Sequence, residues 1–397
     1  MKLLFLILSL EVLLIGCNSK KSESTFVGVP VLKPSQIHGF SFAVEPVSIL
    51  KTDFANFPNR SQKMESAKDC RSCHATIYEN WFSSRHRSSF SNSLYQESHS
   101  RENMDWCVNC HAPLVKFENK SVRWKPEEGI SCQVCHVREG KIITSKLPEP
   151  KMSKDSSLAK LSHDYSIDKE FGKSEFCANC HQFNFPISKT GTRKGNPVQY
   201  SELPMQNTYQ EWKTSSFHGK LECQSCHLRA KSAESHLFPG GHNQNFLKNS
   251  FRVEARRLEG NAIGVSIFTI GVSHSFPTGD LFRTLRLELK DNRGGYLKQF
   301  RFQKNFSNVP ENLVTPSSPG KFLKNDSVIP PPKGMEYASQ KELVLFVPEN
   351  TKSIQFELWL DYLNESNQLT TNLPIREVQL LIQKGTILVP PIDEELK

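Results

Sequence analysis

The sequence is short of apolar residues. Hydrophobic residues make up 37% of the 397, a low share for a chain long enough to form two domains. Either part of the chain is loosely structured, or something other than side chains fills part of its core. A long apolar run is also lacking. The one candidate, at the N-terminus, is interrupted by Ser9 and Glu11 and is too short for a transmembrane helix. Basic residues outnumber acidic ones, for a formal charge of +9, but they are scattered, and the only dense run is the short "SKKSES". That distribution describes a solvated surface and argues against a nucleic-acid partner. Cysteine is absent after Cys226, and before it only Cys17 stands outside a C-x-x-C pair.

The ten remaining cysteines form five pairs: Cys70 and Cys73, Cys107 and Cys110, Cys132 and Cys135, Cys177 and Cys180, Cys223 and Cys226. Each pair is followed directly by a histidine: His74, His111, His136, His181 and His227. From the chain's own Cys and His frequencies, chance would supply about 0.01 such motifs. C-x-x-C-H is the attachment signature of c-type haem. Its two thiols add across the two vinyl groups of one porphyrin, and the adjacent histidine falls beneath the iron. Disulfides do not require a histidine after each pair, and structural zinc sites pair two C-x-x-C units without it. Five covalently bound haems c are therefore expected. As large apolar bodies they would fill the missing core. Their propionates would add about −5 charge when ferric and −10 when ferrous, bringing the chain towards neutrality.

Six-coordinate irons need a second axial ligand. The candidates are His86, His99, His163, His218, His236, His242 and His274, with His38 the weakest. Met64, Met104, Met152 and Met205 are alternatives. His86 and His218 belong to an internal echo. "YENWFSSRH" and "YQEWKTSSFH" share Y-x-x-W-x-x-S followed by histidine, and both read as helices that set an aromatic against a porphyrin. His236 and His242 lie in the loop "SHLFPGGHN", from which one ligand is expected. His274 lies in the turn "GVSHSFPTGD". No catalytic residue is assigned.

The N-terminus "MKLLFLILSLEVLLIGC" reads as an export signal. Leu14–Cys17 resembles the bacterial lipobox, which implies cleavage before Cys17 and lipidation there. Asn18 in place of aspartate points to the outer membrane, facing the periplasm. The expected division is a signal peptide over 1–16, a lipidated tether over 17–58, a pentahaem domain over 59–250 and a β-sandwich-like domain over 251–397. The fold class is α + β. The mainly helical, loop-rich haem part is followed by alternating segments "AIGVSIFTIGV", "TLRLELK", "YLKQFRFQK", "ELVLFV" and "SIQFELWLDYL". "DNRGG" is expected to be a hairpin turn, and "TPSSPGKFLKNDSVIPPPKG" a long loop.

The segments "CRSCHATIYENWFSSRH", "EEGISCQVCH", "SEFCANCHQF", "NTYQEWKTSSFHGKLECQSCH", "HLFPGGH" and "SHSFPTGDLFR" resemble the multihaem cytochromes c of the bacterial periplasm. This is the broad group related to hydroxylamine oxidoreductase and the pentahaem nitrite reductases. The resemblance spans about 70–283. It implies that tryptophan-serine-histidine segments and the H-x-x-P-T-G loop supply distal ligands, here His86, His218 and His274. The nitrite reductases carry a lysine in one motif, whereas all five motifs here end in histidine. The hydroxylamine oxidoreductases carry more haems and a tyrosine cross-link. Neither activity is carried over. The expected function is electron transfer among redox partner proteins or quinol-linked membrane complexes, with attachment to the membrane through the lipid. The alternative is an oxidoreductase with one open haem acting on a small nitrogen or sulfur compound or peroxide. In that case His99 or His163 would be the acid/base candidates. A surface-binding protein using the β-domain would leave the haems without a role.

Overall fold

The computed structural model describes residues 66–101, 107–116, 125–138, 141–146, 165–186, 200–229, 232–313 and 320–390. Cys17, His38, His163, Met64, Met104 and Met152 lie outside them, as do the leader and the whole tether. Among the described residues no helix is long and apolar enough to cross a membrane.

The chain is α + β, with a helical, loop-rich part followed by a β-rich part. Short helices carry the motifs of the first part. Cys132–His136 and Cys223–His227 are single turns, while Ser174–His181 is two. Such short helices are marginal alone, and side chains tie them to one another. Glu222 accepts from the Ser174 backbone N–H at 2.8 Å, and the Ser174 hydroxyl accepts from the Cys223 N–H at 2.9 Å. The fourth and fifth motifs are thereby fixed side by side. The echoed segments form helices Ala75–Phe82 and Thr208–Lys213, with Tyr78, Trp81, Tyr209 and Trp212 all buried. Both indoles donate to carbonyls beside a later motif, Trp81 to Ile130 at 2.7 Å and Trp212 to Leu221 at 2.9 Å. Two small sheets interrupt this part, among them the hairpin Gln182–Pro186 with Tyr200–Asn207.

In the second part, one sheet orders its strands Gln379–Leu388, Ser353–Asp361, Thr284–Lys290 and Tyr296–Phe302. The other orders them Ala338–Phe346, Ala262–Ile270 and Phe251–Arg257. All pairings are antiparallel. Alternate residues turn inward: Ile263, Val265 and Ile267 from one sheet, and Leu285, Leu287, Leu289, Ile354, Phe356 and Leu358 from the other. They merge into one apolar cluster, so the two sheets pack as a sandwich. On the opposite face of the four-stranded sheet Arg286 grips buried Asp361 with two bonds, of 2.8 and 3.1 Å.

The expected strands are present, and "DNRGG" is the turn between Thr284–Lys290 and Tyr296–Phe302, closed by Asp291 N–H to Gly295 C=O at 2.8 Å. Gly294 takes a φ of +84° there, which side chains resist. The long loop requires correction. Lys321–Asp326 within it is a strand paired with Lys304–Asn308. Every residue of Lys321–Asp326 is exposed, so no burial alternation marked it in sequence. Strands Phe251–Arg257 and Gln379–Leu388 were also missed by the pattern.

The two parts are joined by a polar tie. Glu211, buried on the echoed helix, accepts from Lys304 Nζ at 2.6 Å and from Thr278 Oγ1 at 2.6 Å.

Candidate functional site

The five motifs lie in contact with one another. The Cys110 thiol is within hydrogen-bonding reach of Cys180, Cys132 of Cys70, and Cys177 of Cys223. Cys177 also feels Cys135. Motifs one and three, two and four, three and four, and four and five are thus neighbours. Close thiols first, then burial, push Cys110, Cys132 and Cys177 upwards. Among the described residues no three His, Cys, Asp or Glu side chains converge on a common centre, as a tetrahedral metal site requires.

The histidines pair instead. The rings of His86 and His181 are 6.2 Å apart, those of His136 and His236 6.1 Å, and those of His227 and His274 6.3 Å. A metal bonded to two imidazoles at about 2 Å each, with ring centres roughly 1.2 Å further out, would separate those centres by about 6.4 Å. All three gaps fit one iron between two imidazoles. The ring nitrogens of two pairs agree, while Nδ1 of His86 is buried with no hydrogen-bond partner among the described residues. Nδ1 of His136 faces the Ile143 carbonyl at 3.1 Å, and Nδ1 of His227 faces that of Pro239 at 2.7 Å. His274 Nδ1 meets the Ser275 carbonyl at 2.9 Å, and His236 Nδ1 meets Ser235 Oγ at 2.8 Å. A carbonyl can only accept, so the three carbonyl contacts fix the tautomer with a proton on Nδ1 and leave Nε2 free for a metal, whereas the Ser235 hydroxyl can take either role.

Burial lowers the pKa of four of these rings, those of His86, His181, His227 and His236. Desolvation first, then neighbouring imidazoles, lowers His86 to about 3, and desolvation followed mainly by His227 and Arg283 lowers His181 to about 4. His236 is lowered to about 4 by desolvation and then by His136 and His74. His181 is enclosed by protein yet keeps an accessible surface.

Local geometry presents each ring. His86 follows the helix Ala75–Phe82, in a turn whose carbonyl accepts from Ile130 N–H at 2.9 Å. Gly129 makes that approach possible. At φ +53°, its missing Cβ would lie 2.5 Å from the His86 carbonyl and 2.6 Å from that of Arg87. The segment Ser235–Pro239 serves three sites at once. His236 faces His136, Phe238 packs 4.3 Å from His86, and the Pro239 carbonyl meets His227. His236 and Phe238 both have positive φ, of 69° and 50°, so the loop is strained where it presents them. His274 stands on the β-part, in a loop pinned by reciprocal bonds of 2.8 and 2.9 Å between Phe276 and Ile329.

The other candidates are placed differently. His242 does not face a motif histidine; it stacks on Tyr362 at 4.0 Å. His218 is exposed and stands edge-on to Trp212 at 5.1 Å. His99 stacks at 5.2 Å on Tyr95, which stacks at 4.1 Å on His111. His111 Nδ1 meets the Ser89 carbonyl at 2.8 Å. Met205 packs with Cys107 and Cys110 around Phe183. His74 is exposed at the first motif. Sequence reasoning missed Gly129, Glu211 and the tyrosines Tyr95 and Tyr200. The signal for Gly129 was a glycine three residues ahead of a motif; nothing in the sequence marked the others.

Comparison with known proteins agrees with this geometry. Residues 69–137 match the family described as cytochrome c554 and c-prime. No curated protein matches. Among solved structures, a penta-haem cytochrome c552 from Thermochromatium tepidum superposes with a TM-score of 0.62 at 19% identity, over 82% of this chain and 98% of that one. The chain therefore contains a cytochrome c segment and has the fold of a multihaem cytochrome c.

Proposed function

We propose that this protein is a pentahaem c-type electron carrier of the bacterial cell envelope, anchored by lipid on Cys17. Haem would be held covalently by all five cysteine pairs, with His74, His111, His136, His181 and His227 as proximal ligands. His86, His236 and His274 would be the distal ligands of the fourth, third and fifth motifs. The carrying observation is the set of three histidine pairs separated by 6.1–6.3 Å. Paired strong ligands leave an iron no open position, which suits electron passage over ligand activation. The contacts between neighbouring motifs support a continuous path from one cofactor to the next. Redox proteins or quinol-linked complexes of the envelope would be the partners.

The test is the absorption spectrum of the holoprotein, oxidised and dithionite-reduced, before and after carbon monoxide, with a haem count by pyridine haemochrome. Five haems, no high-spin band and no carbon monoxide shift are expected.

A second reading is an enzyme with one open iron, and the second motif is where it would lie. Around His111 the ring neighbour is Tyr95, and the buried hydroxyls of Tyr95 and Tyr200 have no hydrogen-bond partner among the described residues. Burial first, then Cys107 and Cys110, raises both phenols well above their usual range. A carbon monoxide response from one haem in five would favour this reading over the carrier.

A further inference from the structure

The two echoed helices make the same pair of contacts, each from two adjacent residues. In Ala75–Phe82 the Trp81 indole donates at 2.7 Å to the carbonyl of Ile130, two residues before Cys132, which opens the third motif. Its neighbour Asn80 donates through Nδ2 to the carbonyls of Ala233 and Ser235, at 2.7 and 2.9 Å. Those carbonyls lie just ahead of His236, whose ring faces His136 of that same third motif at 6.1 Å. In Thr208–Lys213 the Trp212 indole donates at 2.9 Å to the carbonyl of Leu221, two residues before Cys223, which opens the fifth motif. Its neighbour Glu211 accepts from Thr278 Oγ1 at 2.6 Å, and Thr208 Oγ1 reaches the same hydroxyl at 2.8 Å. Thr278 stands four residues beyond His274, whose ring faces His227 of that same fifth motif at 6.3 Å.

Successive side chains on a helix diverge by about 100°, so adjacent residues reach in two directions at once. The tryptophan takes the segment leading into a motif, and the residue before it takes the loop presenting the facing histidine. The bonds suit that division. Both indoles are buried, and an indole N–H can only donate, so each needs the carbonyl it meets. Asn80 meets two carbonyls, so only its amide nitrogen, with two protons, can serve there. Glu211 is buried, and Lys304 Nζ at 2.6 Å balances its charge. Ser235 also meets Nδ1 of His236 at 2.8 Å, so a shift of Ser235 carries the ring with it. The His274 loop is pinned to the sandwich between Phe276 and Ile329 and to the helical part at Thr278, so both ends of the span are fixed.

We propose that each echoed helix is a caliper that sets the gap between two facing histidines. Asn80 and Trp81 set it for His136 and His236, and Glu211 and Trp212 set it for His227 and His274. All four are positioning residues that act through the backbone of the segments they hold. The proposal rests on the haem ligation proposed above. It accounts for a recurrence that ligand supply does not. Of the echo's two histidines, His86 faces His181 whereas His218 stands edge-on to Trp212. The contacts of the tryptophan and of the residue before it nevertheless recur at both helices. The gap has little slack: widening it by about 0.5 Å would stretch each metal–nitrogen bond by roughly 0.25 Å, beyond the ordinary tolerance of such bonds.

The test is electron paramagnetic resonance of the oxidised, haem-loaded, full-length protein, which tells low-spin irons apart by the geometry of their paired ligands. His236→Ala and His274→Ala first identify the signals of the third and fifth centres. Asn80→Asp keeps the shape of the side chain and removes its donor, and it should shift the His236-dependent signal alone. Glu211→Ala should shift the His274-dependent signal alone, and Glu211→Gln, which keeps an oxygen for Thr278, should move it back. Trp81→Phe and Trp212→Phe keep a ring and remove the N–H; they should produce the same two shifts from the other arm. A lowered unfolding temperature with every signal in place would overturn the caliper, because these residues would then serve packing alone. A common shift of all signals, or a shift of the other helix's signal, would also overturn it. If neither histidine variant moved any signal, the ligand assignment itself would fall, and the caliper with it.

Discussion

Replacing Gly129 by alanine should break the His86–His181 pair from a distance. Gly129 has φ +53° and ψ −119°, a conformation that side chains avoid at a cost of about 1–3 kcal/mol. The added Cβ would fall 2.5–2.6 Å from the carbonyls of His86 and Arg87 and from Ser89 Oγ. Two of those atoms are backbone, so the turn itself must retreat, by roughly 0.5–1 Å to regain ordinary contact. That retreat stretches the 2.9 Å bond from Ile130 N–H to the His86 carbonyl, worth about 0.5–1.5 kcal/mol. The total is about 2–4 kcal/mol of stability, and the 6.2 Å spacing widens beyond what one iron can bridge. Thermal unfolding of the holoprotein should show the loss. Electron paramagnetic resonance and carbon monoxide difference spectra should show one haem in five turning high-spin. An unchanged unfolding temperature with five low-spin haems would refute the account, because neither the strain nor the positioning would then exist.

Asp361→Ala should cost about 1–3 kcal/mol in denaturant unfolding, since it removes two bonds to the buried Arg286 guanidinium, which keeps Glu288 and Gln379 as partners, while haem spectra stay unchanged. Glu211→Ala removes the tie to Lys304 and Thr278 and should cost about 2–3 kcal/mol, with faster amide exchange in residues 278–304 as the readout. Acid should destabilise the fold through His86, His181 and His236. Their folded pKa values of about 3–4 lie below the unfolded value of about 6.5, so the unfolded state binds more protons between these limits. Stability is full above about pH 6.5 and is lost as pH falls towards 4, which an unfolding series across that range would detect. His274→Ala should leave five attached haems but one carbon monoxide-reactive centre, whose absence would exclude His274 as a ligand.

The five C-x-x-C-H motifs are legible because their pattern is local: two thiols and an imidazole within five residues need no fold to bring them together. The strands of the sandwich were legible for a related reason, since Leu285, Leu287 and Leu289 declare their inward face in the bare sequence. Lys321–Asp326 declares nothing, because solvent covers both its faces. Partnership among histidines was the least legible part. His86 lies beside the first motif in sequence but faces the fourth, and no periodicity encodes that. His236 and His242 could not be told apart without the backbone, whose positive φ at His236 turns one ring towards His136 and leaves the other against Tyr362.

The histidine pairs also bear on how the chain reaches this state. His86 and His181 are 95 residues apart, His136 and His236 100, and the two spans overlap. A bond through each pair would act as a cross-link closing a long loop, and such a closure is worth about 4–5 kcal/mol through the entropy it denies the unfolded chain. The first cannot be drawn shut until the fourth motif has been delivered, and the second not until the chain well beyond it has. A chain without its cofactors would lack these ties together with much of its core. On the proposed reading of an exported, haem-loaded chain, folding would be deferred to the compartment where attachment takes place.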